Sequence, residues 1–113
     1  MHELSLAQGI VDIVAEAARA QSFSRIRRIR LAIGALAQVE PDALSFGFDA
    51  VSRGTMAEGA TLDIERPSGA GYCLGCSGQV ELIQRGDPCP ACGGFDVMVT
   101  GGDDLRVTEL EVD

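Results

Sequence analysis

Lysine and tryptophan are absent from this chain, histidine occurs once, and aromatic residues are scarce: four Phe and one Tyr. With so few rings the core has to be aliphatic. Hydrophobic residues still make up 46% of the 113 positions, enough for packed structure and an argument against disorder. Without Lys, nine Arg face 17 acidic residues, for a formal net charge of −8. A nucleic-acid-binding surface has to be basic to meet phosphate, and adsorption to an anionic membrane makes the same demand. Neither class fits this balance. No apolar run approaches the length of a membrane-spanning helix. The first residues lack the basic start of a signal peptide, and Gln8, Asp12 and Glu16 interrupt the apolar positions that follow. The expected location is the cytoplasm, a reducing compartment in which paired cysteines are metal ligands more often than disulfides.

Periodicity divides the rest. Residues 4–20 carry Leu6, Ile10, Ile13, Val14 and Ala17 at helical spacing. Ser5 and Gln8 have the spacing of a capping box at its start. Over residues 25–33 the period changes to two, with Ile29, Leu31 and Ile33 alternating with Arg28, Arg30 and Ala32, and Gly34 ending a half-buried strand. A second helix is expected from Glu40-Pro41, because proline at the first helical position sacrifices no hydrogen bond. Leu44, Phe48 and Val51 form its apolar stripe and Gly54 its stop. Residues 60–66 and 104–112 read as two further strands. Pro67-Ser68-Gly69-Ala70-Gly71 has the chemistry of a linker, and Thr100-Gly101-Gly102 closes the segment after it. The organisation expected is one α/β domain, residues 1–66 plus 101–113, with a small domain inserted over 67–100. Charge is unequal between the two parts of the chain: residues 1–66 carry 7 Arg against 9 acids, residues 67–113 only 2 Arg against 8 acids.

The insert holds all four cysteines, as Cys73-Leu-Gly-Cys76 and Cys89-Pro-Ala-Cys92. Two intervening residues let one tight turn aim two sulfurs at one metal, and two such turns complete the tetrahedron that zinc prefers with thiolates. A segment this short, with few sizeable apolar groups, needs a staple, and structural zinc can contribute roughly 10–16 kcal/mol in small finger peptides. Iron, two disulfides or a redox dithiol are the alternatives. Four cysteine ligands leave no open coordination position, so the site reads as structural rather than catalytic.

The single histidine is His2. A lone histidine ordinarily signifies little, but its position matters. Methionine is normally retained before a bulky residue, so a chain starting Met1-His2-Glu3 presents an α-amine, the His2 amide and imidazole nitrogens and the Glu3 amide as four donors. Four nitrogens suit square-planar Ni²⁺ or Cu²⁺, and geometry does not choose between them. Binding that displaces amide protons weakens as pH falls.

Met1-His2-Glu3-Leu4-Ser5-Leu6 matches the His-Glu-x-Ser-Leu signature of the HypA/HybF nickel metallochaperones, which help insert nickel into [NiFe]-hydrogenases. The resemblance extends through Ile33-Gly34, Val39-Glu40-Pro41, the doubled Cys-x2-Cys and the closing Leu110-Glu111-Val112. It implies an α+β fold: a mixed three-stranded sheet with two helices, and an inserted four-cysteine zinc ribbon. It implies transferable Ni(II) on Met1, His2 and Glu3, with Glu40 where some members add an acidic ligand and where a helix cap is an equally good role. Structural Zn(II) would sit on Cys73, Cys76, Cys89 and Cys92. The implied partners are a HypB-type GTPase and the hydrogenase large-subunit precursor, with urease maturation proteins for some members, and the chain would act as a monomer or homodimer. Certain relatives carry histidines beside the cysteines. This sequence has none there, so a pH switch at the zinc is not expected.

A zinc-ribbon adaptor for protein or nucleic acid is the rival reading, disfavoured for nucleic acid by the acidity of residues 67–113. A hydrolytic zinc enzyme is excluded by the closed ligand set and the lack of a base–nucleophile pair. Arg25, Arg27, Arg28 and Arg30 are read as a solvated strand face in preference to a docking site.

Overall fold

The computed structural model describes residues 3–113. Its elements run α1 (Glu3–Gln21), β1 (Ile26–Ile33), α2 (Pro41–Ser52), β2 (Thr61–Glu65), β3 (Gly69–Cys73), β4 (Gly78–Leu82), β5 (Val97–Gly101) and β6 (Leu105–Val112). They form a mixed three-stranded sheet in the order β2-β1-β6, accompanied by the two helices, and a second three-stranded sheet in the order β4-β3-β5. The chain forms two compact units. One comprises the residues up to Leu31, Val39–Ile64 and Val107–Asp113, and the other Ala32–Gln38 with Glu65–Arg106.

In the first unit α1 buries Ala7, Ile10, Val11, Val14 and Ala18. This face is rotated from the one expected, and Ile13 is 53% exposed. The start of α1 packs against α2 at Gly47. A Cβ at Gly47 of α2 would stand 3.5 Å from the Leu4 Cα and 3.7 Å from the Ala7 Cβ. Ala7 lies in this contact, and Ile13 faces outward. Nor does the expected capping box form: α1 already includes Glu3, and Gln8 donates forward to Asp12 at 3.0 Å. Helix α2 follows the sequence more closely. Pro41 opens it, the Glu40 side chain accepts the Asp42 N–H at 3.0 Å as N-cap, and Leu44 and Phe48 are buried. It ends at Ser52, and Gly54 takes the left-handed conformation.

The arginine-rich strand is neutralised within its own sheet. Arg28 of β1 pairs with Asp63 of β2 at 2.6 Å and reaches Glu111 of β6 at 3.7 Å. Arg30 pairs with Glu109 at 3.2 Å and Arg27 with Asp113 at 3.5 Å. The hydrogen bond to Asp63, followed by its charge, raises the Arg28 pKa further. These pairs are partly or largely solvent-exposed, so they favour register more than they add stability.

The second unit corrects the linker reading. Gly69, Ala70 and Gly71 belong to β3, and their glycines permit close approach rather than flexibility. A Cβ on Gly71 would come within 2.9 Å of both Leu82 Cδ1 and Val97 Cγ1, and one on Gly69 within 2.4 Å of Leu36 Cγ. Gly34 is tighter still, since a Cβ there would stand 2.0 Å from the Gly102 carbonyl oxygen, and one on Gly102, at φ +76°, would meet backbone at 2.5 Å, the Gly69 Cα. The segment Ala32–Gln38, the end of β1 and the turn after it, is tied in by hydrogen bonds. Leu36 N–H donates to Gly102 O at 2.9 Å, Arg66 Nε to Ile33 O at 2.8 Å and Arg85 Nε to Leu36 O at 3.1 Å.

Gly34→Ala is expected to destabilise the fold by about 1–3 kcal/mol or more, because the obstacle is backbone. Gly9→Ala, in α1 with nothing within 4 Å of the added Cβ, is expected to stabilise it by about 0.5–1 kcal/mol. Urea unfolding of both variants measures the contrast, and equal midpoints would contradict the packing role assigned to Gly34.

Candidate metal centres

Cys73 is the last residue of β3, placed opposite Gly78 in the antiparallel register with β4. The turn between them carries Cys76 and closes through Ser77 at φ +56°. The second pair lies between β4 and β5. There Cys89 N–H donates to Gly94 O at 2.7 Å and Gly93 N–H to Cys89 O at 2.8 Å, with Gly93 at φ +76°. Leu74 N–H donates to Asp96 O at 2.9 Å, joining the two turns.

The result is one sulfur cluster. Cys73 and Cys92 Sγ are 3.7 Å apart, as are Cys76 and Cys89 Sγ, and all four lie within 4.8 Å of one another. Zn–S bonds of about 2.3 Å in a regular tetrahedron give S···S separations of about 3.8 Å, so the donor set fits zinc in both type and spacing. Cys73 and Cys89 are buried, Cys76 and Cys92 exposed. The sulfurs differ in acidity. Hydrogen bonding with Cys73 and then Cys89 pushes the Cys76 thiol up to about 12. The backbone N–H of Cys92, whose nitrogen is 3.4 Å from Cys89 Sγ, chiefly pulls Cys89 down to about 7. A divalent cation would displace the protons for which such close sulfurs compete.

Two of the other predicted ligands, Glu3 and Glu40, lie at helix starts. Met1 and His2 are outside the described residues. Glu3 is the first residue of α1 and Glu40 the N-cap of α2. The packing of α1 on α2 brings these two acids together: Glu40 N–H donates to Glu3 Oε2 at 3.3 Å, while Glu40 Oε1 accepts from Asp42 N–H. The expected capping role of Glu40 is therefore present, and it operates beside a second carboxylate. That adjacency joins residues 37 positions apart, and nothing local in the sequence signals it.

Metal analysis of untagged protein is expected to find about one zinc per chain, as four thiolates around one ion require. In Cys76→Ser or Cys89→Ser the stoichiometry is expected to fall towards zero, with chelator-sensitive loss of the β4-β3-β5 sheet. Full zinc content in both variants would exclude the four-sulfur site.

A family model described as "Hydrogenase/urease nickel incorporation, metallochaperone, hypA" matches residues 1–112. The chain is similar to the hydrogenase maturation factor HypA of Alkalilimnicola ehrlichii, with 52% identity over all of both chains. It is also similar to that of Methylocella silvestris, at 53% identity with the same full coverage. In fold it resembles the solution structure of the nickel metallochaperone HypA from Helicobacter pylori, with a TM-score of 0.72 and 22% identity over 99% of this chain and 97% of that one. The sulfur cluster, the paired helix starts and a match spanning residues 1–112 lead to one conclusion: this chain belongs to the HypA family of hydrogenase/urease nickel-incorporation metallochaperones.

Proposed function

We propose that this protein binds Ni(II) at its N-terminus and delivers it for maturation of [NiFe]-hydrogenase, while a separate Zn(II) on Cys73, Cys76, Cys89 and Cys92 serves structure alone. Nickel is cargo here, held by the Met1 amine, His2 and Glu3, with Glu40 contributing a carboxylate. The observation that carries this reading is the adjacency of Glu3 and Glu40. Two helix N-termini are poor neighbours for a cation, because both dipoles present their positive ends. Placing two carboxylates there reverses the local sign. Each also accepts a backbone N–H, Glu3 from Glu40 and Glu40 from Asp42. Those bonds hold the acids in place.

The division of labour follows from coordination chemistry. Four sulfurs close the first site against exchange, whereas amine, amide, imidazole and exposed carboxylate donors form a site that remodels easily. Binding and transfer, rather than catalysis, is the activity this reading assigns, since the closed four-sulfur set leaves no coordination position for a substrate. The family's role supports a HypB-type GTPase and the hydrogenase large-subunit precursor as partners in the cytoplasm, with urease maturation proteins as further recipients. Among the described residues no helix is long and apolar enough to cross a membrane.

Nickel titration of untagged protein tests the assignment. His2→Ala, or one residue added before Met1, is expected to weaken binding by at least about 100-fold, beyond the roughly 10–100-fold typical of outer-sphere changes. Equal binding by wild type and His2→Ala would refute the N-terminal site. Glu40→Gln is expected to keep the cap, because its amide oxygen still accepts the Asp42 N–H, yet to lower nickel affinity. Glu40→Ala is expected to lose affinity and also about 1 kcal/mol of stability. Wild-type affinity is expected to fall from about pH 8 to about pH 6, as protons compete for amine, amide and imidazole.

A further inference from the structure

Helix α2 buries Leu44, Gly47 and Phe48 on one side and exposes Asp42, Ala43, Phe46, Asp49 and Ala50 on the other. Phe46 stands in the middle of that outer face and is 80% exposed, the highest value among the exposed large hydrophobic side chains. In a chain with only five aromatic residues this is a costly placement. A phenyl ring left in water forfeits the burial of a large apolar surface. The flanking residues at helical spacing are Asp42 and Ala43 one turn before, and Asp49 and Ala50 one turn after. Alanines leave the ring standing clear of the surface, and aspartates place negative charge on either side of it. Leu4 of α1, 58% exposed and in contact distance of the Gly47 position, extends the apolar area towards the start of α1.

We propose that this face, centred on Phe46, docks a partner protein that offers an apolar socket rimmed by Lys or Arg, and that it seats the partner beside Glu3 and Glu40. Charge complementarity selects the occupant. The knob is bordered by Asp42 and Asp49, and the acids Glu3 and Glu40 lie at the N-terminal end of the same helix pair. A second copy is a poor fit, since each chain carries a net charge of −8 and Arg27, Arg28 and Arg30 are already engaged by Asp113, Asp63, Glu111 and Glu109. An anionic membrane is repelled for the same reason. A buried aromatic knob ringed by charge is the usual composition of a binding hot spot, in which a few residues carry most of the affinity. Phe46 is about 7–8 Å along the helix axis from Pro41 at about 1.5 Å per residue, so a partner gripping it also covers the helix start where the two carboxylates meet. The proposal rests on the N-terminal nickel reading for its purpose, but the docking surface itself is testable apart from it.

Binding of the full chain to a purified HypB-type GTPase and, separately, to the hydrogenase large-subunit precursor provides the test. Phe46→Ala is expected to lose at least tenfold affinity for one of them, and Phe46→Leu less than tenfold, because it keeps an apolar knob. Asp49→Lys is expected to weaken the same complex and flatten its salt dependence, whereas Asp12→Lys on α1 leaves it unchanged. Nickel titration of Phe46→Ala is expected to match wild type, which separates a failure of docking from a failure of the metal site. The proposal is overturned if Phe46→Ala loses less than tenfold for both proteins, if the wild type binds neither, or if Phe46→Ala loses nickel binding along with partner binding. It is equally overturned if sedimentation shows a wild-type dimer that Phe46→Ala abolishes, since self-association then explains the knob.

Discussion

Seventeen carboxylates against nine guanidinium groups mean that wherever this chain folds tightly it brings like charges together, and each part of the structure relieves that repulsion differently. In the β2-β1-β6 sheet the answer is an ion ladder: Arg28 lies between Asp63 and Glu111, and Arg30 faces Glu109. At the helix starts it is the backbone, with the N–H groups of Glu40 and Asp42 turned onto the carboxylates of Glu3 and Glu40. At the cysteines neither device is sufficient. Backbone N–H groups of Cys92 and Ala91 meet Cys89 and that of Gly94 meets Cys92, while Cys76 is left to hydrogen bonding with its neighbouring sulfurs. A divalent cation would be the charge that balances them. The three solutions differ in permanence, from solvated pairs to fixed amides to a closed metal, and the functional assignment follows that ordering.

The cysteine cluster is legible in the sequence because its geometry is local. Two residues between cysteines determine a turn, and two turns determine a tetrahedron. The cap at Glu40 is legible for the same reason, from Pro41 beside it. What escapes depends on partners distant in the chain. The glycines at 69, 71 and 102 read as joints, since glycine in sequence signals either freedom or close approach and only the opposing atom decides. Here the atoms are those of Leu36, Leu82, Val97 and the backbone of Ser68 and Gly69. The buried face of α1 is misplaced by the same kind of effect. Periodicity locates a stripe, but the buried one is rotated towards Ala7, Val11 and Ala18 and leaves Ile13 exposed. The arginine cluster looks free in sequence because its counter-ions lie on β2 and β6, dozens of positions away.

The pairing of Glu3 with Glu40 lies between these cases. Each acid has a readable local reason to be at a helix start, yet their adjacency is a product of α1 packing on α2. That packing rests on Ala7 and Gly47, residues with no chemistry of their own. A Cβ at Gly47 would stand at ordinary van der Waals distance from Leu4 and Ala7, so the helices already meet closely there, and the carboxylates at their starts meet with them. Such an arrangement suits a carrier. The acids are held by N–H groups that exist whether or not a cation is bound, so arrival and departure of the metal need no refolding of either helix. A site built this way gives up permanence at the N-terminus while leaving intact the surface of α2 from which a partner would approach.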